Sequence, residues 1–374
     1  MRHATSGPTG ADVVVVGGGI AGVSAAAELA IEGADVVLIE AEGQLGHHTT
    51  GRSAALFSET FGNHVVRSLT VASRSFFHSP PAGFDRPLLT PRGALWVAPP
   101  GQEDVARAEA TSGRALVSSV EYLDGSEARA RCPVLRAEAV AGACWEPDAD
   151  DIDVNALLAG YRRTATAARA VIETSRALVR ARRDGEHWQI ETTSTPLTAR
   201  VLVDAAGAWA DTVARSCGVE PLGLRPLRRT AFLFDIPGHP SDPTWPLVVD
   251  LAGTYYFKPE SGRLLGSPAD ETPSEPCDAR PEEIDVALAL DRLGAAVGKE
   301  IRHASHAWAG LRTFAPDGTP VVGVEPSVPG FVWVAGQGGS GIQTSPAMAR
   351  AAAAAVIGRD DPFLAALNAA RLRA

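Results

Sequence analysis

The run Asp12-Val13-Val14-Val15-Val16 leads directly into Gly17-Gly18-Gly19-Ile20-Ala21-Gly22 and then into an alanine-rich stretch. An apolar, β-branched segment that ends in G-x-G-x-x-G and continues as a helix former has few foldings open to it. Gly17 permits the tight turn, Gly19 lets the backbone approach an anion, and Gly22 lets helix and strand pack closely. The helix N-terminus, with Ile20 and Ala21, then offers free N–H groups to a pyrophosphate. A second strand is expected over 35–39, ending at Glu40. An acid about twenty residues beyond the glycines accepts hydrogen bonds from a ribose 2′-OH and repels a 2′-phosphate. Strand, turn, helix, strand and acid in this order predict an adenine dinucleotide site.

At 374 residues the chain is long enough for two or three domains and a large core. Its net charge of −10 is spread without a basic stretch, which argues against nucleic acid as a partner. Cys132, Cys144, Cys217 and Cys277 are far apart and form no C-x-x-C, as expected of reduced thiols with no catalytic role. The first eleven residues read as a loose tail, and the apolar stretch from Val13 is broken by glycines and Glu28, so it reads as strand plus helix and not as a signal peptide. With no integral membrane span elsewhere, a cytoplasmic location is expected. Nothing in the sequence asks for a metal: the acids at 148–153 lack the glycine and final glutamate of a calcium loop, and Asp153 is expected to cap a helix.

Beyond the opening unit come a loop over 46–53, a helix over 65–77 broken by Pro80-Pro81-Ala82-Gly83, a strand over 93–98 and a helical stretch over 103–110. A helix after Asp153 and strands over 171–174, 188–192 and 201–203 restore the opening texture. Runs at 225–236 and 254–266 read as strands of an antiparallel sheet, because no helix-length connection separates them. A helix over 281–298, strands over 308–314 and 331–335, and a second glycine turn from Gly336 leading into an alanine-rich helix complete the chain.

That last turn favours a flavin over a nicotinamide, because a helix N-terminus there can stabilise the negative charge that builds up on a flavin when it is reduced. Only one complete dinucleotide fingerprint is present, so the electrons are expected from an organic substrate. The chain resembles the D-amino acid oxidase-like family of FAD enzymes, most closely the D-arginine dehydrogenase type. The resemblance is carried by 13–22 with Glu40, His48-Thr49-Thr50-Gly51-Arg52-Ser53-Ala54-Ala55, Ala205-Ala206-Gly207-Ala208-Trp209, Trp308-Ala309-Gly310-Leu311-Arg312 and 338–344. It implies an α/β fold: a Rossmann-like FAD-binding domain over 1–85, 147–220 and 313–374, with an inserted α+β substrate domain over 86–146 and 221–312 built on a largely antiparallel sheet.

By position, the resemblance assigns FAD contacts to Gly17, Gly19, Ile20, Ala21, Gly22, Glu40, Thr49, Thr50, Arg52, Ser53, Ala54, Ala55, Gly207, Gly339, Gly341, Ile342, Gln343 and Thr344. His47 and His48 stand where some relatives tether FAD covalently; the D-arginine dehydrogenase type does not, and non-covalent binding is expected. The implied reaction is oxidation of an amino acid Cα–N bond by hydride transfer to flavin N5, giving an imino acid that hydrolyses to a keto acid and ammonia. Arg229 and Arg312 match a carboxylate clamp, a task that suits the planar fork of arginine. Arg228 and Arg229 are neighbours on a strand, so only one faces the pocket. Tyr256 matches a residue that closes over substrate, and Gln343 one that contacts it near the flavin. Lys258 shares a face with Tyr256 and is expected to be exposed or ion-paired.

The substrate pocket is assigned Leu56, Phe61, Ala94 and Gly339. Ala94 stands where the resemblance to the D-arginine dehydrogenase type implies a glutamate that holds a basic substrate side chain, so a neutral or hydrophobic D-amino acid is expected. Glu59 is the rival: pointing inward, it would preserve a basic substrate. A secondary amine (sarcosine, an N-methyl amino acid or D-proline) and a non-catalytic flavin-binding role remain alternatives. The electron acceptor, whether oxygen, a quinone or a carrier, is left open.

Overall fold

A computed structural model describes residues 9–373. The strand Thr9–Val16 lies at the centre of a sheet whose order is Leu178–Asp184, His187–Thr192, Leu197–Asp204, Thr9–Val16, Val36–Ile39 and Val171–Glu173. Phe331–Ala335 adds to Leu197–Asp204 in parallel and carries Val321–Val324 antiparallel on its far side. The valine run has no polar alternation because both faces of the sheet are covered. Val13 and Val15 pack into one core with the helices Ile20–Ile31, Val154–Ala167 and Ser345–Ile357. Val14 and Val16 pack into the other, with Trp188, Phe331 and Trp333. The expected loose tail is shorter than eleven residues: 9–11 already pair with 197–199, and 1–8 lie outside the described residues.

Two glycines of the first turn are dictated by space. Gly17 has φ +112°, and a Cβ there would lie 2.4 Å from the Ala205 carbonyl oxygen. A Cβ on Gly22 would lie 1.9 Å from the Gly17 oxygen, so the helix sits against the turn only because that side chain is absent.

The second sheet runs Thr272–Pro273, Arg225–Phe234, Arg263–Ser267, Tyr256–Glu260, Leu247–Asp250, Ala94–Ala98, Gly142–Glu146 and Glu121–Asp124, with Ala304–Phe314 also paired to Arg225–Phe234. All its pairings are antiparallel except that of Leu247–Asp250 with Ala94–Ala98. The run 254–266 is a hairpin and not one strand. Ser261 and Gly262 both have positive φ, 50° and 79°, and form a two-residue turn whose twist matches that of the flanking strands. Asp153 does cap Val154–Ala167, accepting the Ala156 N–H at 2.8 Å. A small third sheet, Leu56–Phe57, Asp150–Ile152 and Leu89–Pro91, joins the two large ones. Through it the 46–60 segment reaches from the glycine turn to the second sheet.

Candidate functional site

The two glycine turns end at the carboxyl edges of parallel strands, where an open sheet leaves a crevice. A cavity of about 420 Å³ lies there and extends between the two large sheets. Its wall on the first sheet includes Gly17, Gly19, Ile20, Ala21 and Glu40, followed by Thr49, Thr50, Arg52, Ser53 and Ala54. Gly207, Gly339, Gly341 and Ile342 close it from the later segments, and Arg229, Tyr256 and Arg312 face it from the second sheet.

The chemistry of this wall suits an elongated anion. Gly19 caps Ile20–Ile31 with no side chain of its own, while Thr50 Oγ1 accepts the Ile20 N–H at 3.0 Å. Glu40 accepts the N–H groups of Gly18 and Glu42, which holds its carboxylate at the turn. Thr49 donates to the Leu311 carbonyl at 2.8 Å, joining the loop to the strand that carries Arg312. The guanidinium of Arg52 is occupied by the carbonyls of Ala279 and Ala309 and by Asp278, so it ties the loop to the second sheet.

Several expected residues stand off the wall, each for a visible reason. Gly22 serves the helix–turn contact. Ala55 spends its carbonyl on Ile152 N–H, and Thr344 donates its hydroxyl to the Ser340 carbonyl one turn back. Gln343 is turned away: its Oε1 accepts from Ser58 N–H at 3.1 Å and its Nε2 donates to Thr70 at 3.0 Å. Ala94 is wholly buried inside the second sheet between Leu247 and Glu146. Leu56 packs behind the wall in a cluster with Tyr256, Leu247 and Leu265. Phe61 follows a loop that Glu146 holds, accepting from the hydroxyls of Ser58 and Thr60 and the N–H of Glu59, and it does not reach the cavity. Glu59 is buried and ion-paired with Arg74. Lys258 is buried against Asp151 at 2.7 Å and Glu260 at 3.4 Å.

Other wall residues were not among the expected contacts. Arg176, Ala177 and Leu178 arrive after the strand Val171–Glu173 pairs with Val36–Ile39, a contact between distant segments. Trp209, Thr212, Val213 and Ser216 come from the segment that follows Gly207. Trp209 stands within the A-A-G-A-W segment, and its ring lies 4.6 Å from that of His48. His47, His48 and Glu42 form the one group among the described residues with metal-ligand spacing, but His48 Nε2 already meets Glu42 at 2.9 Å and the trio lines this cavity. Burial pushes the thiols of Cys132, Cys144 and Cys217 up to about 12, which leaves them inert at neutral pH.

At the substrate end, Arg312 is the distinctive group. Its guanidinium packs against Gly339, where a Cβ would come within 3.0 to 3.3 Å of three of its atoms. Burial first, and the neighbouring charge of Arg229 second, pull its pKa down to about 10, so it stays charged at neutral pH. Arg229 donates to the Asp270 carbonyl at 2.7 Å and to Glu271 at 3.0 Å, while Arg228 points to the other face, towards Glu282 and Asp285.

Behind the cradle, Asp204 is fully buried, one oxygen accepting the Ala206 N–H and the other unpartnered among the described residues. Burial raises its pKa well above the ordinary value, and the nearby Asp211 adds to the shift. The folded state therefore holds a proton that the unfolded state releases. Stability contributed by that proton is present below the ordinary carboxylate pKa and is lost as pH rises towards the folded value. Asp204→Asn keeps the acceptor and removes the penalty, so its melting temperature should exceed that of the unaltered protein by a margin that widens between pH 5 and pH 8. A constant margin in thermal unfolding across that range would refute the assignment.

The sequence model of the family described as FAD dependent oxidoreductase matches residues 12–355. Glycine oxidase from Geobacillus kaustophilus is 27% identical over 347 residues, covering 90% of each chain. The crystal structure of a glycine oxidase from that organism superimposes with a TM-score of 0.83 at 25% identity, covering 96% of this chain and 98% of the other. L-proline dehydrogenase from P. horikoshii superimposes with a TM-score of 0.85 at 20% identity, covering 98% of each.

Proposed function

Because the chain belongs to the FAD dependent oxidoreductase family and takes FAD as its cofactor, we propose that it oxidises the Cα–N bond of an amino or imino acid whose carboxylate is held by Arg312. The observation that carries this reading is the state of Arg312: half-buried, charged, facing the cavity and without a hydrogen-bonded or ionic partner among the described residues. A partly desolvated guanidinium is stabilised when an anion answers it, and a carboxylate matches its fork with two charge-assisted hydrogen bonds, each worth roughly 1.5–3 kcal/mol. Tyr256, on another strand of the same sheet, covers the bound acid, and Arg229 turns its remaining edge towards it. FAD, when bound, supplies the acceptor for the two electrons and hydrogen that leave Cα. The protein's part is to fix the carboxylate, aim Cα and exclude water. Binding is taken as non-covalent, and the division into 1–85, 147–220 and 313–374 against 86–146 and 221–312 is kept as the proposed domain arrangement.

The substrate side chain is proposed to be neutral. Glu59, the carboxylate that could have met a basic one, is committed to Arg74, and Ala94 offers none. The resemblance supports a D-amino acid. A second reading, a secondary amine such as sarcosine, an N-methyl amino acid or D-proline, is favoured by the small residues Ala54, Ala231 and Gly310 along the wall by the arginines, and a relative named monomeric sarcosine oxidase and a structure named L-proline dehydrogenase add to it. Anaerobic mixing of the FAD-loaded enzyme with D-, L- and N-methyl amino acids should bleach the flavin absorbance with one of these groups and leave it unchanged with D-arginine. Bleaching by D-arginine alone would overturn the neutral-substrate reading, and bleaching by none would remove the amine chemistry.

A further inference from the structure

We propose that Glu271 sets the charge of the acid this pocket accepts, so that the site takes amino acids with one carboxylate and turns away those with two. The inference rests on the carboxylate-binding reading of Arg312. Two arginines at the substrate end of the cavity would by themselves favour a dianion. Arg229, however, is already answered: its Nε donates to the Asp270 carbonyl at 2.7 Å and its Nη2 to Glu271 Oε1 at 3.0 Å. Asp270 holds this arrangement in place. Its carboxylate accepts the Thr230 N–H at 2.6 Å and the Thr230 hydroxyl at 3.0 Å, fixing the 270–271 corner to the strand next to Arg229.

The remaining positive charge is that of Arg312, on which the carboxylates of Glu271 and Asp270 both act. Arg228 lends nothing to the cavity, since Glu282, Asp285 and Asp270 surround it on the opposite face. Asp270 also stands 3.8 Å from Arg228, so the Arg229–Glu271 pair beside the cavity leaves Arg312 as the guanidinium that a single substrate carboxylate answers. A second one would be drawn to the edge of Arg229 that Glu271 occupies and would meet like charge there. Because the Glu271 side chain is 55% exposed, salt screens this repulsion and the discrimination weakens with ionic strength.

The test uses the FAD-loaded enzyme and a matched pair of unreactive acids, methoxyacetate and diglycolate, which differ by one carboxylate and lack an oxidisable amine. Binding is read from perturbation of the flavin absorbance. The unaltered enzyme should bind methoxyacetate more tightly. Glu271→Gln should shift the ratio of the two dissociation constants towards diglycolate by about tenfold at low salt and less at high salt, while Glu271→Asp, which keeps the charge, should restore the original preference. A ratio unchanged by Glu271→Gln, or a preference for diglycolate in the unaltered enzyme, would overturn the inference and leave the carboxylate pocket standing. If methoxyacetate gives no perturbation and does not compete with substrate, both readings fall.

Discussion

Arg312→Met should lower kcat/KM for the amino acid substrate by about 10²–10³-fold while the protein keeps its FAD and its melting temperature. The magnitude follows from truncating one partner of a buried, hydrogen-bonded charge pair, which costs roughly 2–5 kcal/mol. The retained stability follows from the environment: Arg312 has no protein partner among the described residues, and burial with the Arg229 charge lowers its pKa to about 10, so its charge is a burden to the empty fold. Arg312→Lys should recover only a fraction of the loss, since an ammonium is a point charge without the planar fork. Steady-state kinetics beside thermal unfolding separate the two effects. A variant within about threefold of the original kcat/KM would remove Arg312 from the site.

Gly22→Val should yield protein that neither holds FAD nor folds to its original stability, with a loss of at least about 3 kcal/mol. Any Cβ at this position meets the Gly17 oxygen at 1.9 Å and the Ala205 side chain at 3.3 Å, so Ile20–Ile31 must move away from the turn whose N–H groups it presents. Gly33→Ala is the informative contrast. It lies at the far end of the same unit, at φ +91° with nothing within 4 Å of its Cβ position. It should cost about 1 kcal/mol of backbone strain and retain the flavin. Flavin absorbance per protein and denaturant midpoints decide the matter; FAD retained by Gly22→Val would show that the turn tolerates separation from its helix.

Where the chemistry is local, the site was legible in the chain. The spacing of Gly17, Gly19 and Gly22 and the acid at Glu40 are constraints between near neighbours, and all but Gly22, whose place is the packing contact, line the cavity. The alternation of Arg228 and Arg229 along one strand was also readable, because successive side chains must point to opposite faces. Gln343 and Ala94 mark the limit. Gln343 follows Ile342, which lines the cavity, yet it is claimed by Ser58 and Thr70 from a loop and helix far away in sequence, and Ala94 is enclosed by two partner strands.

The sequence by itself determined the β-α-β cradle, the flavin preference and the opposite facing of Arg228 and Arg229, since turn sterics, helix polarity and the two-residue period act over a few bonds. Only the tertiary structure decided which carboxylates were already spent. Glu59 on Arg74, Asp151 on Lys258 and Glu271 on Arg229 are pairings between segments 15, 107 and 42 residues apart. Electrostatic partners are chosen by distance in space, and no spacing along the chain encodes that distance.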